Sequence, residues 1–386
     1  MELSKPLLLL VSAVWGANLV SAQSWTQTRA PTNLWYSAAS SADGTKLVAG
    51  VGGPFWTGPI YTSTNGGADW NSNAAPVLHW TSVASSADGS KLAAVADVGS
   101  IYTSTDSGGT WATNNVPNSG WLFIASSADG LKLAAVSPIS LIYLSTDGGT
   151  TWTSNTTPVN NLRCVASSAD GTRLVAGGDG GKIIISTNSG VTWAQSSSVL
   201  SGGSVSSLAA SANGARLIAV TGTSFIYAST NGGNTWALCS LPSNIVSWSS
   251  AALSADGTKL VAVSGKNGIY SSTNSGTTWL SNSVPVSVWQ AAAASADGNK
   301  LVAVRWDGGI WTSQTTPAPQ MDITPAEGNF TLSWIVPSAN FVMQQSSDLS
   351  SWMDVTNLPV LNLTNLQNEV ILSPTDSSSF YRLKTP

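Results

Sequence analysis

The chain has 386 residues, of which 42% are hydrophobic and only 9% are charged, and 15 lysines and arginines stand against 19 acidic residues. A chain with so few charges and a net charge of −4 has no general electrostatic attraction for nucleic acid or for an anionic membrane, so we expect neither as a partner. The composition agrees with a secreted all-β protein.

The first 22 residues have the pattern of a secretory signal peptide. Lys5 precedes an apolar run over residues 7–15, and the small residues Val-Ser-Ala at 20–22 form a cleavage site. The apolar run is too short for an integral membrane span. We therefore expect the mature chain to begin at Gln23 and the protein to be secreted, periplasmic or displayed at the cell surface.

Six copies of one eight-residue phrase, Ser-x-(Asp/Asn)-x-Gly-x-(Thr/Asp)-Trp, follow between residues 63 and 279; we call it the octapeptide turn. Its Asp or Asn can accept hydrogen bonds from amides of the same turn, its glycine can take a positive φ, and its tryptophan packs beneath. The copies end, at intervals of 41 to 43 residues, at Trp70, Trp111, Trp152, Trp193, Trp236 and Trp279. Such a period indicates one supersecondary unit stacked several times.

A second marker, Ser-Ala-Asp-Gly or Ser-Ala-Asn-Gly, occurs once in each of seven units, and its Asp-Gly or Asn-Gly between apolar-rich runs predicts a hairpin. Its Asp and Asn residues are Asp43, Asp88, Asp129, Asp170, Asn213, Asp256 and Asp297. In the second unit, strands are predicted over residues 80–85, 91–95 and 101–104 and from Trp111 onward. Four short strands per unit predict the blade of a propeller.

The seventh unit reaches its third strand at residues 310–313 and then lacks the octapeptide turn. Trp25 precedes Ala-Pro at residues 30–31 much as Trp70 precedes Ala-Pro at residues 75–76. We therefore expect the N-terminal strand to complete the seventh blade, which closes the ring and removes two exposed sheet edges.

The octapeptide turn resembles the Asp-box, or BNR, repeat of the sialidase-like propeller superfamily, and the resemblance covers about residues 23–318. That superfamily also includes xyloglucan-cleaving glycosidases, sortilin-type receptors and photosystem II assembly and stability factors. The resemblance implies the fold but no single activity, because unrelated functions share this frame. We expect an all-β chain: a seven-bladed β-propeller over residues 23–318, closed by the N-terminal strand, and a small C-terminal antiparallel β-sandwich over residues 321–386.

The C-terminal region follows a Pro-rich linker at residues 316–319. Short alternating segments predict its sandwich at residues 330–334, 341–344, 369–372 and 380–383. The phrases at residues 346–352 and 380–383 resemble C-terminal sandwich modules of secreted bacterial proteins. Attachment, sorting, glycan contact and simple stabilisation all stay open as roles.

The superfamily resemblance implies two kinds of catalytic apparatus. Sialidases use an arginine triad, a Tyr–Glu pair and an Asp, but residues 23–320 contain no glutamate. Xyloglucanase-type relatives use two aspartates, and in residues 23–320 four aspartates fall outside the Asp-Gly and octapeptide acceptor positions: Asp69, Asp97, Asp179 and Asp307. Turn chemistry accounts for all four. A glycoside hydrolase built on a pair of aspartates remains the alternative.

Metal and cofactor sites are not expected. His79 is the only histidine, which excludes a zinc site built on two histidines, and we expect it to be hydrogen bonded in a loop. The Asp-rich turns lack the dense carboxylate loop that calcium prefers. The two cysteines, Cys164 and Cys239, fall in different strands of different units and are expected as buried free thiols.

A ring of tryptophans, one at the same position in each of five units, is the main functional signal. Eight residues before the Asp or Asn of the Asp-Gly turn, five units carry tryptophan and two carry Leu162 and Val205; the tryptophans are Trp35, Trp80, Trp121, Trp248 and Trp289. We expect them near the mouth of the central channel, opposite the octapeptide turns, as a platform for a ligand or as packing between blades. Variable loops on that face add Trp56 and Trp306 to the candidate ligand-binding residues.

The sequence thus favours a secreted, monomeric, non-catalytic propeller that binds a protein or a neutral glycan as a scaffold, without cofactor, metal or catalytic residues. Kinship with the photosystem assembly factors would imply a membrane-protein precursor as partner. Those factors are described by a basic patch, which this chain of low charge lacks, so that role is not carried over with the fold.

Overall fold

The computed structural model describes residues 23–53, 56–117, 119–138, 141–241, 247–315, 321–326, 329–337, 341–373 and 379–384. The predicted signal peptide (1–22) and linker (316–319) lie outside these ranges, so both stay predictions. Within the described residues every regular element is a β-strand except one 3-10 turn, Asp179–Gly181.

Seven four-stranded antiparallel sheets, which we number in chain order, make up residues 25–314. Their first strands are Trp35–Ser40, Trp80–Ser85, Phe123–Ser126, Leu162–Ser167, Val205–Ala210, Trp248–Leu253 and Trp289–Ala294. Their second strands are Leu47–Val51, Leu92–Ala96, Leu133–Val136, Leu174–Gly178, Leu217–Thr221, Leu260–Ser264 and Lys300–Arg305. Their third strands are Ile60–Ser63, Ile101–Ser104, Leu141–Ser145, Ile183–Ser186, Ile226–Ser229, Gly268–Ser272 and Ile310–Gln314.

The fourth strands are short and mostly exposed, which leaves little edge for pairing with another chain. In the first six sheets they are Asn71–Ser72, Ala112–Thr113, Thr153–Thr156, Ala194–Gln195, Ala237–Leu238 and Leu280–Ser281. The seventh sheet takes its fourth strand from the N-terminal end of the described chain: Trp25–Gln27 pairs antiparallel with the third strand, Trp25 opposite Ser313.

The second strands form the core of each sheet. Leu47–Val51 and Leu92–Ala96 are buried at every residue, with no polar alternation, because a neighbouring sheet covers each of their two faces. Such continuous runs of Val, Ala and Leu have high strand propensity and can be buried on both sides. The first strands of consecutive sheets contact one another, and the first strand of the seventh sheet contacts that of the first.

A circle of backbone hydrogen bonds joins the Asp-Gly turns. In each turn the alanine before the Asp or Asn donates its amide to the matching carbonyl of the next sheet, at 2.6–2.8 Å. The seven alanines are Ala42, Ala87, Ala128, Ala169, Ala212, Ala255 and Ala296, and the last bond runs from Ala296 back to Ala42. Every buried amide of this ring is therefore satisfied by its neighbour.

The Asp-Gly turns are held by their own carboxylates. In the second sheet, Ser86 Oγ and the Ser90 amide donate to Asp88 Oδ1 at 2.6 and 3.0 Å, and Ser90 Oγ donates to Oδ2 at 2.7 Å. Partial burial raises the pKa of Asp88, but these hydrogen bonds outweigh it and lower the pKa to about 2. The pKa values of Asp43, Asp170 and Asp256 are lowered in the same way.

These carboxylates make the stability of the fold depend on acid pH. A carboxyl whose pKa is lower in the folded than in the unfolded chain stabilises the fold above the unfolded value, about 3.9, and this contribution is lost as the pH falls through the folded value. We expect the urea midpoint to fall steeply between pH 4 and pH 2. Asp88→Asn should fold, since Asn213 holds the equivalent turn with bonds of 2.9 and 3.0 Å, and should reduce that slope. An unchanged slope would contradict this assignment.

The octapeptide turns lie on the same face as the Asp-Gly turns, and their tryptophans pack beneath them as predicted. In the third copy, the Thr151 amide and hydroxyl donate to Asp147 at 2.9 and 2.6 Å, and Ser145 Oγ donates to it at 2.8 Å. Trp152 is half-buried, and its Nε1 donates to the Gly149 carbonyl at 2.9 Å. Gly149 has φ +96°, the left-handed conformation that favours glycine.

The C-terminal region contains two sheets. One has the order Asp322–Ala326, Asn329–Ile335, Gln367–Leu372, Val360–Asn362, and the other has the order Met353–Asp354, Val342–Ser346, Phe380–Lys384. Buried side chains of both, among them Leu332, Trp334 and Met343, pack between the sheets.

The two cysteines are free, as predicted. Cys164 is buried, and burial raises the pKa of its thiol to about 12. Cys239 is only partly buried, in contrast to the prediction, because it lies next to a short outer strand rather than within the sheet; burial still raises its pKa to about 11.

Candidate functional site

The five ring tryptophans are packing residues. Trp35, Trp80, Trp121 and Trp289 have 0% exposed surface and Trp248 has 2%. Trp80 shows how this arises: its ring lies edge-on to Tyr102 at 5.2 Å, its Nε1 donates to the Gly58 carbonyl at 3.0 Å, and it packs in one cluster with residues of the first and second sheets.

The expectation of an open aromatic platform is therefore corrected. An indole ring enclosed between two sheets has no face left for a sugar or a peptide, and the alternative interpretation, packing between blades, describes all five. Of the seven candidates only Trp56, with 53% exposed surface, and the half-buried Trp306 keep accessible surface.

The residue after each ring position faces the central channel, whereas Trp248 is the one ring tryptophan among the described residues that line it. These seven residues are Tyr36, Thr81, Leu122, Arg163, Ser206, Ser249 and Gln290, and all of them line one cavity. In six of the seven first strands, all but the third, the pairing register shifts at this residue, so that it is the extra residue of a β-bulge. Bulges bend the strand and turn a side chain in a new direction, often beside a functional site. We call these seven residues the bulge ring.

The cavity that the bulge ring surrounds has a volume of about 640 Å³. This is within the range of ligand-binding clefts. Its wall combines apolar side chains, with Leu122 and Phe123 adjacent in the third sheet, and hydroxyl and amide groups such as Ser249 and Gln290 in the sixth and seventh sheets. Such a wall can accept an apolar side chain and hydrogen bond to a polar backbone.

The other end of the channel is narrower. The serines and alanines of the Asp-Gly turns line a cavity of about 160 Å³ there, and Leu366 of the C-terminal region also lies against it. The end surrounded by the bulge ring is thus the wide one, and we call it the channel mouth.

The residue after each second strand occupies an equivalent place at the rim of the channel mouth. In five sheets its amide donates to the carbonyl of the residue that precedes the ring position, at 2.9–3.2 Å. The five pairs are Gly52 with Leu34, Asp97 with His79, Asp179 with Asn161, Gly222 with Ser204, and Trp306 with Val288.

Charges at the rim are paired. His79 Nδ1 lies 3.1 Å from Asp97 Oδ2, and Arg163 Nε donates to Asp179. Ser204 Oγ also donates to Asp179, at 2.7 Å. The Arg163 and Ser204 hydrogen bonds lower the pKa of Asp179, so it stays ionised at neutral pH and neutralises Arg163, the only charged residue among those described that line the cavity.

Tyr36 supplies a hydroxyl to the channel mouth. Its ring packs edge-on against Trp306 at 5.8 Å, on the adjacent seventh sheet. Burial and, to a smaller extent, the negative charge of Asp97 raise the pKa of Tyr36, so its hydroxyl remains a hydrogen-bond donor at any ordinary pH.

Rim glycines differ in how much space surrounds them. A Cβ on Gly52 would lie 2.3 Å from the Trp80 amide nitrogen, whereas on Gly222 it would meet nothing closer than Ser206 Oγ at 3.5 Å. We expect Gly52→Ala to lower the free energy of unfolding by about 1–3 kcal/mol, because backbone atoms cannot move aside. The matched Gly222→Ala should stay within about 0.5 kcal/mol of the wild type. Urea denaturation measures both, and equal losses would contradict the distinction.

The four aspartates left open as catalytic candidates each have a local partner. Asp97 and Asp179 pair at the rim as described; Asp307 accepts from Ser287 Oγ at 2.7 Å, and Asp69 accepts from Asn65 Nδ2 at 2.9 Å. None of the described residues that line the channel mouth is Asp or Glu, so this cavity lacks the two facing carboxylates that glycoside hydrolysis needs.

The described residues contain neither a metal-binding cluster nor a membrane-spanning helix. No group of three or more His, Cys, Asp or Glu side chains is placed to hold a metal ion. Across the same residues, no helix has the length and apolar character to cross a membrane.

The bulge ring could not be recognised in the sequence because its seven positions share no single residue type. The available signal was variability at one fixed register: directly after a ring position that is Trp in five units, the chain places Tyr, Thr, Leu, Arg, Ser, Ser and Gln. Variable residues on a rigid scaffold are where binding usually lies.

Comparisons with known proteins bear on the fold. No family model matches the chain, and no curated protein matches its sequence. Among solved structures, YCF48 from Cyanidioschyzon merolae is similar with a TM-score of 0.59 and 15% identity, over 76% of this chain and 99% of that one. A structure of YCF48 bound to D1 peptide is similar with a TM-score of 0.58 and 17% identity, over 77% and 98% of the two chains. Likeness at these identities, together with the sheet arrangement, shows that the chain has a β-propeller fold.

Proposed function

We propose that this chain is a non-catalytic, seven-bladed propeller that binds an extended polypeptide segment at the channel mouth and acts as a protein-binding scaffold. Two observations support closure of the ring: the circle of hydrogen bonds that returns from Ala296 to Ala42, and the pairing of Trp25–Gln27 with the third strand of the seventh sheet.

The bulge ring is the observation that carries the proposal. Six register shifts at one position turn six side chains toward one cavity, and Leu122 of the third sheet joins them without a bulge, while the residue before each of the seven is buried in a repeated packing role. The repeat alone would not require such variety. Bulges redirect side chains and are common beside functional sites, so a bulge at the same position of six sheets favours a binding site here.

A polypeptide is the ligand class that this wall suits best. Hydroxyl and amide groups can hydrogen bond to the amides and carbonyls of an extended backbone, and the apolar residues accept its side chains. The solved YCF48 bound to D1 peptide supplies a precedent for peptide binding on this fold, although it names no partner for this chain. Glycan binding rested on open indole faces, and burial of five of them removes that support.

The test is a parallel selection on the wild-type protein. A phage-displayed library of random dodecapeptides and a glycan array are screened with the same immobilised protein, and peptide hits are resynthesised with a fluorophore for anisotropy titration. We expect peptides that bind reversibly and saturably to one site. Binding only to glycans, or selection of no peptide at all, would overturn the proposal.

A further inference from the structure

The cavity at the channel mouth is not symmetrical about its axis. Most sheets contribute only residues of their first strand, but the fifth sheet adds residues from two loops beyond it: Gly202, Gly203, Ser204, Gly222 and Thr223. The cavity therefore extends outward over the fifth sheet. We call this extension the glycine groove.

The glycine groove opens at Gly222, the rim residue of the fifth sheet, which carries no side chain and has free space around its Cβ direction. The sixth sheet has a glycine at the same position, Gly265, but serine Oγ atoms lie closer to it, at 3.2 and 3.3 Å, and it does not line the cavity. In the second, fourth and seventh sheets the equivalent rim residues are Asp97, Asp179 and Trp306, each held against a neighbouring side chain. In the first sheet the equivalent Gly52 lies against the backbone of Trp80, so no room is left above it.

Gly222 is a glycine that neither the backbone nor the packing of the fold requires. Its φ is outside the left-handed region, so any residue could adopt its conformation. Space around its Cβ direction is also free, with Ser206 Oγ at 3.5 Å and the Ser204 carbonyl oxygen at 3.9 Å as nearest atoms. What the glycine provides is clearance above the floor of the groove, and glycine often marks a site where another backbone approaches closely.

The walls of the groove are held in place before any ligand arrives. Ser204 Oγ donates to Asp179 at 2.7 Å, and Thr223 Oγ1 donates to the Gly202 carbonyl at 3.0 Å. Because these side chains are already fixed, the groove loses less conformational entropy when a segment binds.

We infer that the polypeptide segment bound at the channel mouth continues through the glycine groove, with its backbone flat against Gly222 and between Ser204 and Thr223. The inference rests on the proposed function and gives the bound segment a route and a chemistry. Residues in the groove must be small or have side chains that point away from the floor, and they must be uncharged because Arg163 and Asp179 already neutralise each other.

The test fills the groove without touching the bulge ring. Gly222→Phe and, as a second blocking variant, Thr223→Trp are compared with Val98→Phe, which places the same phenyl ring at an exposed position on the same face, in the second sheet. Affinities are measured by anisotropy with the peptides selected on the wild type, and thermal melts show whether each variant folds. We expect Gly222→Phe and Thr223→Trp to weaken binding at least about tenfold, and Val98→Phe to stay within about twofold.

The outcomes separate the groove from the channel mouth. If Ser249→Trp, a blocking variant in the bulge ring, abolishes binding while Gly222→Phe and Thr223→Trp both bind as the wild type does, the groove is not the route and the proposed function stands. If neither kind of variant weakens binding, the proposed function fails and the route fails with it. Loss in the folded groove variants, with Val98→Phe unaffected, supports the route.

Discussion

Trp80→Ala is expected to lower the free energy of unfolding by about 3–5 kcal/mol, the range for a fully buried large aromatic side chain. Trp80 has no exposed surface and lies in one cluster with residues of the first two sheets, including Val48 and Leu92, so its removal leaves a cavity between them. It also leaves the Gly58 carbonyl without its 3.0 Å hydrogen bond. Urea denaturation at neutral pH measures the loss.

Two controls show whether burial causes this effect. Trp56→Ala removes the same side chain from a position that is 53% exposed and should change the free energy of unfolding by less than about 1 kcal/mol. Trp80→Leu should cost less than Trp80→Ala, because Leu162 occupies the equivalent position of the fourth sheet. If Trp80→Ala instead kept full stability and lost ligand binding, the tryptophans would be a binding platform after all.

Ser249→Trp is expected to weaken binding of the selected peptides at least about a hundredfold, since the cavity would then hold an indole in place of the ligand. Ser249 is the bulge residue of the sixth sheet, half-buried, and its side chain faces the open channel. The new ring would therefore enter empty space rather than the core, and the melting temperature should change little. Anisotropy titration and a thermal melt measure the two properties.

Val191→Trp is the matched control for that variant. Val191 is 72% exposed in the fourth octapeptide turn, on the face opposite the channel mouth. The same indole added there should leave peptide affinity unchanged. Equal weakening by both variants would mean that the peptides recognise something other than the channel mouth.

The strands of the repeat could be predicted from sequence because turn chemistry brackets each of them. In the second sheet, Trp80–Ser85 and Ile101–Ser104 are confirmed at both ends, and the second strand is shifted by one residue, to Leu92–Ala96. Asp-Gly and octapeptide turns fix where a hairpin must reverse, whatever the tertiary contacts are.

The candidate site could not be predicted in the same way. In a regular strand the side chains point to the two faces of the sheet, and in the repeat region both faces are covered by neighbouring sheets. At residues such as Tyr36 a bulge turns a side chain toward the axis, and a bulge depends on pairing with the second strand, which no local pattern reveals. The tryptophans are easy to recognise in the sequence because the same packing residue recurs from unit to unit. The residues of the bulge ring differ from unit to unit and form no such pattern.

The two C-terminal phrases that resemble secreted modules prove to be parts of one structural unit. Arg382 lies over the ring of Trp352 at 4.1 Å, and it donates to Gln344 Oε1 through Nε and Nη2 at 2.9 and 2.7 Å. Such a stacked, hydrogen-bonded arginine fixes the last strand of the region against its neighbour. These two phrases therefore hold the C-terminal strands together, and their resemblance to secreted modules is explained by that structural part.

Photo-crosslinking tests the central claim most directly. A benzophenone amino acid is built into a selected peptide, so that no bulky side chain is added to the channel mouth, and this peptide is irradiated with the wild-type protein before mass spectrometry locates the adduct. The account predicts a covalent adduct in first strands that line the channel mouth, such as Val205–Ala210 and Trp248–Leu253, suppressed by excess unlabelled peptide, and none in the octapeptide turn that contains Val191. An adduct only in the octapeptide turns, or none at the channel mouth while the peptide is bound, would contradict binding at the channel mouth.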